Sequence, residues 1–102
     1  MASQSYFRVL WHHDHNDEPV DLWSEIDEQR YETRKLEIFV DGRVGWAGPG
    51  EGAFDSMLGD QPAPPVEEIN KDSGFAAKAV SQDAFEAMWS RRFDRITERP
   101  KF

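Results

Sequence analysis

Cysteine is absent from the 102-residue chain. Its absence excludes disulfides and thiolate metal sites and fits a reducing compartment. Long apolar runs are missing too: none approaches the ~20 residues a membrane helix needs. The N-terminus, MASQSYFRVL, lacks the basic start and apolar stretch of a signal peptide. A soluble, cytoplasmic protein is expected. Positive charge is scarce, with 12 Lys and Arg against 20 Asp and Glu and a formal charge of −8. That balance repels nucleic-acid phosphates and anionic membranes, and it attracts basic proteins or cations. The length allows one domain over residues 1–102, able to bury a core without staples.

What is present is unevenly spread. LWHHDHNDEPVDLWSEIDEQRYE, residues 10–32, holds three histidines and eight carboxylates against Arg30 alone, and the rest of the chain is nearly neutral. The opposite sign gathers in Arg91, Arg92, Arg95, Arg99 and Lys101, so residues 94–102 read as a basic tail. Basic groups favour a helix C-terminus, which is explanation enough for that tail.

SYFRVLWHH reads as a first strand, with Phe7, Val9 and Trp11 on one face and Tyr6, Arg8 and Leu10 on the other. NDEP supplies a turn. VDLWSEI then alternates Val20, Leu22 and Ile26 against Asp21, Trp23 and Glu25, a half-buried strand with a polar outer face. Asp41-Gly42 between apolar runs is a hairpin cue. A two-residue loop there pairs Val40 with Arg43 and Glu37 with Trp46. It puts Leu36, Ile38, Val40 and Ala47 in the core, and Lys35, Glu37, Phe39, Val44 and Trp46 on a mixed face.

Residues 48–65 are too rich in glycine and proline for a regular element. A loop that long is usually functional or disordered, and Phe54, Met57 and Leu58 point to its folding back onto the body. A short helix follows from Pro65, then a strand in GFAAKAVS. The main helix, SQDAFEAMWSRRF, is capped by Ser81, with Phe85, Met88, Trp89 and Ile96 on one stripe. The expected class is α+β: a single antiparallel sheet of four to five strands with a C-terminal helix packed on one face.

Several chemistries are possible in principle. His12, His13, His15, Asp14 and Asp17 are legitimate metal ligands, but His12 and His13 point to opposite faces of a strand. No H-E-x-x-H spacing is present, so no metal or cofactor is assigned, and the histidines are weak candidates at a solvated strand end. Ser24 or Thr33 could approach those histidines, yet no G-x-S-x-G elbow exists. GPGEG lacks the lysine and serine of a phosphate loop. Arg34, on the expected core face, should lie at the strand's edge or pair with a carboxylate such as Glu32, Glu37 or Asp21. Aromatic content, 13 %, is high for so polar a chain. Trp23 and Trp46 alternate onto faces shared with charges, a composition common in binding faces.

The blocks YFRVLWHHDHNDEPVDLWSEID, RYETRKLEIFVDGRVGWA, LGDQPAPPVEEIN and FEAMW resemble an uncharacterised family of small bacterial proteins, known only as a domain of unknown function. The resemblance spans residues 6–89 and implies a stand-alone bacterial cytoplasmic domain, without an activity or a site. By size and charge alone the chain is also similar to the acidic immunity partners of secreted bacterial toxins.

The first expectation is therefore a protein-binding module of the immunity type. Asp21, Glu25, Asp27 and Glu28 would steer toward a basic protein partner, and Trp23, Phe39 and Trp46 would anchor it. Neither nucleic acid nor a membrane is expected as partner, and an enzyme is the less favoured reading. The alternative is a small-molecule or metal-binding protein, an enzyme among the options, with His12, His13, His15 and Arg34 near a pocket under the 48–65 loop. An acidic DNA mimic is a third option.

Overall fold

The fold is seen in a computed structural model that describes residues 3–53 and 56–102. Aromatic and β-branched residues dominate the first strand, β1 (Ser5–Trp11), which pairs antiparallel with β2 (Asp21–Ile26). β3 (Glu32–Ile38) and β4 (Val44–Gly48) follow, and the short β5 (Glu51–Ala53) pairs with β4. α1 (Val66–Ile69) precedes β6 (Phe75–Ala79), and α2 (Gln82–Trp89) closes the series. The sheet order is β5-β4-β3-β2-β1-β6, with every pairing antiparallel. This is the expected α+β architecture, one antiparallel sheet with the C-terminal helix on one face. β5 is a difference, because it lies in the stretch expected to carry no regular element. Phe54 falls outside the described residues, Leu58 is half-buried, and Met57 is 74 % exposed, so Met57 does not fold back.

Both faces of the sheet are covered, and this changes the meaning of each strand's alternation. On the α2 face, Tyr6, Trp23, Leu36, Ile38, Val44 and Trp46 pack with Phe85 and Met88 of the helix and with Ile96 beyond it. Ser81 caps α2 by accepting a hydrogen bond from Ala84 N–H at 3.0 Å. On the α1 face, Phe7, Val9, Ile26 and Ala77 form a second cluster, joined by Leu22, Ala63, Val66, Ile69 and Phe75. Asn70, just past α1, ties this cover to the sheet edge. Its side-chain amide donates to Ala77 O and accepts from Ala77 N–H, completing β6 as a neighbouring strand would.

The β3–β4 turn corrects the expected register. Its loop has three residues, Val40, Asp41 and Gly42, because Phe39 N–H donates to Arg43 O and Gly42 N–H to Phe39 O. Gly42 sits at φ +92°, a conformation that favours glycine, and a Cβ there would also push against Thr97 Cγ2 at 2.8 Å. A one-residue change of loop length turns the whole following strand over. Ile38 consequently faces Val44, and Leu36 faces Trp46. Val44 and Trp46 enter the core, Ala47 moves to the other face, and Val40 is 63 % exposed.

Residues 94–102 are a seated strap. Ile96 is 1 % exposed and its N–H donates to Gly42 O. Farther along, Arg99 reaches Asp21 at 3.2 Å and Phe102 lies over Arg8 and Lys78. Beneath the strap, Arg8 donates from Nε and Nη2 to the two carboxylate oxygens of Asp21, at 2.9 and 2.7 Å. Arg8 and Asp21 are both buried, and Arg8 also stacks on the Trp23 ring at 4.7 Å. Removing one member of such a pair leaves an uncompensated buried charge, at a cost of roughly 3–5 kcal/mol. Asp21→Ala should lower the free energy of urea unfolding by that margin, whereas Asp17→Ala on the exposed loop should leave it unchanged within error.

Candidate functional site

The acidic stretch does not form one surface. β2 alone spans about 20 Å at strand rise, and it separates the exposed Asp14, Asp17 and Glu18 at one end of the sheet from the exposed Glu28 at the other. Between them, Asp21 is fully buried against Arg8, and Glu25 is 3 % exposed. Arg34 donates to both oxygens of Glu25, at 2.8 and 2.6 Å, and also to Glu86 of α2. Arg34 thus pairs with carboxylates, but with Glu25 across the sheet and Glu86 on the helix rather than with Glu32, Glu37 or Asp21. Asp27 shapes the β2–β3 turn by accepting from Gln29 N–H and Tyr31 N–H.

The aromatic anchors are likewise engaged internally. Trp23 is 1 % exposed, and Trp46 is buried edge-on against Trp89 and Phe93 with Arg92 stacked at 4.7 Å. Phe39 is half-buried under Arg43. The expectation that Asp21, Trp23, Glu25 and Trp46 face a partner is corrected: the second covered face and the three-residue turn place all four inside. The α2 face is therefore an electrostatic core. Burial pushes Glu25 up, but hydrogen bonds from Arg34, Thr33 and Tyr6 outweigh it and hold the carboxyl below the ordinary glutamate range. Arg34 holds Glu86 low as well, against a smaller effect of burial. Glu25 and Glu86 in turn hold the Arg34 guanidinium firmly charged. Burial, reinforced by Glu25, raises the Tyr6 hydroxyl.

The His13 and His15 rings stack 5.6 Å apart, but the three histidines do not converge on one point. His12 and His15 are exposed, and both ring nitrogens of His13 are engaged, Nδ1 accepting from His15 N–H at 2.9 Å and Nε2 donating to Pro19 O at 2.8 Å. Among the described residues no group of three or more His, Asp or Glu is placed to hold a metal. Ser24 and Thr33 sit at the far end of the sheet from the histidines, since Ser24 pairs with Phe7 while the histidines follow Trp11.

The feature that sequence reasoning placed only loosely, under the long loop, is a cavity of about 580 Å³ on the α1 face. Its floor is Phe7, Val9, Leu22 and the stacked pair Trp11 and Phe75, 5.9 Å apart. Ile69 and the segment from Gln61 to Pro64 line its sides, and its mouth opens to solvent. The void has a physical cause. A floor three strands wide is covered by a four-residue helix and a segment of proline and alanine, whose short side chains cannot fill the space.

Two local devices hold this cover. Arg30, at φ 71° in the left-handed region, donates from Nε to Ala63 O and from Nη2 to Pro64 O, both at 2.7 Å. Its own carbonyl accepts from Ala63 N–H at 2.7 Å. The second device is a bulge. The β2–β3 register shifts between Glu25 and Ile26, so Glu25 faces Arg34 but Ile26 faces Glu32. The shift aims Thr33 and Arg34 together at Glu25 on the α2 face, where Thr33 Oγ1 donates to Glu25 Oε1 at 2.8 Å. It also turns Glu32 to the opposite face, into the cavity wall, where its carboxylate accepts from Ser24 Oγ and from Gly59 N–H.

An antiparallel sheet with one charged, helix-covered face and one hollow, thinly covered face is the architecture these residues define. The description "Domain of unknown function (DUF6881)" matches residues 5–94, and the chain belongs to that family. No curated protein and no solved structure matches the chain. Among the described residues no helix is long and apolar enough to cross a membrane.

Two outcomes follow from this geometry. The depressed Glu25 and Glu86 contribute stability above the ordinary glutamate value, and it is lost as pH falls through their folded values. Urea unfolding should therefore show a loss of stability as pH falls below the ordinary glutamate range that is visibly shallower in Glu25→Gln, a variant also weaker at pH 7 by about 2 kcal/mol. Arg30→Gly relieves the backbone but removes the clip. The Ala63 amide should then exchange about tenfold faster, the loss of two charge-assisted hydrogen bonds being partly offset by the relieved backbone, with Leu36 unchanged.

Proposed function

We propose that this domain binds a small organic molecule with an apolar body in the cavity between β6-β1-β2 and the cover formed by residues 61–64 and α1. The observation that carries the reading is the cavity itself. At about 580 Å³ it falls within the range of roughly 300–1,000 Å³ typical of ligand sites. Phe7, Val9, Trp11, Leu22 and Phe75 supply apolar surface, while Ser24 and Glu32 supply a few polar groups to orient an occupant. A cytoplasmic setting belongs to the same proposal, and the cysteine-free chain suits it chemically.

An uncharged fluorescent probe such as N-phenyl-1-naphthylamine should bind saturably, one per chain, and quench Trp11. Ala63→Trp, which puts a large ring into the cavity from the cover side, should weaken binding at least about tenfold, as for loss of most of a small apolar contact. Equal binding by this variant, with its unfolding midpoint unaltered, would place the probe elsewhere and remove the reading.

Docking to a basic protein, as in an immunity pair, is a second reading with one observation in its favour. Asp14, Asp17 and Glu18 are exposed on the β1–β2 loop of a chain with formal charge −8. Such a complex would form faster at low salt, and the triple change Asp14→Asn, Asp17→Asn, Glu18→Gln would slow it. A partner captured equally by both chains would not use this loop.

A further inference from the structure

The cavity carries a charge pattern as well as a shape. Three carboxylates line it, Glu32 from the bulged strand on one side, Glu68 and Asp72 from α1 and its exit on the other, and no lysine, arginine or histidine is among the lining residues. The nearby basic groups already have partners. Arg30 donates to the Ala63 and Pro64 carbonyls, and Lys35 on the same sheet face lies 3.9 Å from Glu37. Lys71 reaches the lining Glu68 through an exposed i,i+3 pair of little strength. His13, edge-on to Trp11 at 4.5 Å, is held through both ring nitrogens by His15 N–H and Pro19 O. The half-buried, stacked rings of Trp11 and Phe75 stand at the end of the cavity beside Asp72, and Glu32 stands toward the other end beside Ser24. Aromatic faces and carboxylates in an apolar recess attract a cation through both the ring quadrupole and Coulomb terms, and they disfavour an anion on both counts.

We infer that the ligand of this cavity is an organic cation, an amine or quaternary ammonium attached to an apolar or aromatic body. The inference rests on the small-molecule reading above and adds the sign of the ligand's charge. Glu32 is the carboxylate best placed for orientation, because Ser24 Oγ and Gly59 N–H fix it at the cavity wall. Glu68 and Asp72 are exposed and act as a rim that draws the charge in. The attraction weakens with ionic strength, as the Debye length falls from ~10 Å at 0.1 M to ~3 Å at 1 M.

Three probes of one shape test it by calorimetry or Trp fluorescence: 1-naphthylmethylamine, 1-naphthalenemethanol and 1-naphthoate. The cation should bind about tenfold more tightly than the alcohol and the anion more weakly than either, as expected for a partly desolvated cation–π and carboxylate contact. In Glu68→Gln with Asp72→Asn, both exposed positions, the cation's advantage should shrink while alcohol binding stays constant, which also reports that the cavity is intact. Adding Glu32→Gln should bring cation and alcohol level. Equal binding of all three probes by the parent chain, or a preference for naphthoate, overturns the cation inference and leaves the apolar pocket standing. Failure of all three to bind overturns both.

Discussion

The structure depends most on a single irregularity, the register break between Glu25 and Ile26 where β2 meets β3. A regular ladder would put Glu32 on the same face as Arg34, adding a second carboxylate near the helix and leaving the opposite face purely apolar. With one extra residue on β3, Thr33 and Arg34 both donate to Glu25 on the helix side. Glu32 then points away, into the cavity. One bulge therefore completes the buried ion network and equips the hollow face with its best-held polar group.

The two faces have opposite physical characters for a traceable reason. The α2 face combines a longer amphipathic helix, large rings and a C-terminal strap, and it can enclose Arg8–Asp21 and Glu25–Arg34 because each charge finds a bidentate partner. Such pairs specify an arrangement more than they stabilise it, since a well-packed apolar replacement can do as well. The α1 face has Phe7, Val9, Leu22 and Phe75 but too little material above them. Its cover is held by polar clips, Arg30 on the proline segment and Asn70 on β6, rather than by dense packing. A cover held at its edges over an unfilled middle is what an exchangeable occupant requires.

Much of the fold was legible in the sequence. The alternation of β1 and β2, the Asp41-Gly42 turn, the short helix after Pro65 and the Ser81-capped helix all appear close to where their residue types placed them. The site was less legible, because sequence alternation shows that a strand has two faces but not that both are covered. Asp21, Trp23 and Glu25 read as a wet face for that reason, although Arg8 and Arg34 stood ready in the neighbouring strands to neutralise it. Trp46 was misplaced by one residue of turn length, which periodicity cannot register. Glu32 could not have been assigned to the cavity without the bulge. One signal was available: β1 is apolar on both sides, with Phe7, Val9 and Trp11 opposite Tyr6 and Leu10, so a second layer was required. The 48–65 stretch and a four-residue helix offer little to build it with.

The four tryptophans provide the most direct measurement of the central claim, that the hollow face receives a ligand and the charged face does not. Trp11 lines the cavity, whereas Trp23, Trp46 and Trp89 belong to the α2 side. In a ¹H–¹⁵N spectrum of the labelled protein titrated with an uncharged naphthalene, the Trp11 indole N–H should shift along a saturable course while the other three hold still. Movement of Trp46 and Trp89 with Trp11 unaffected would contradict it and put the binding surface beside α2.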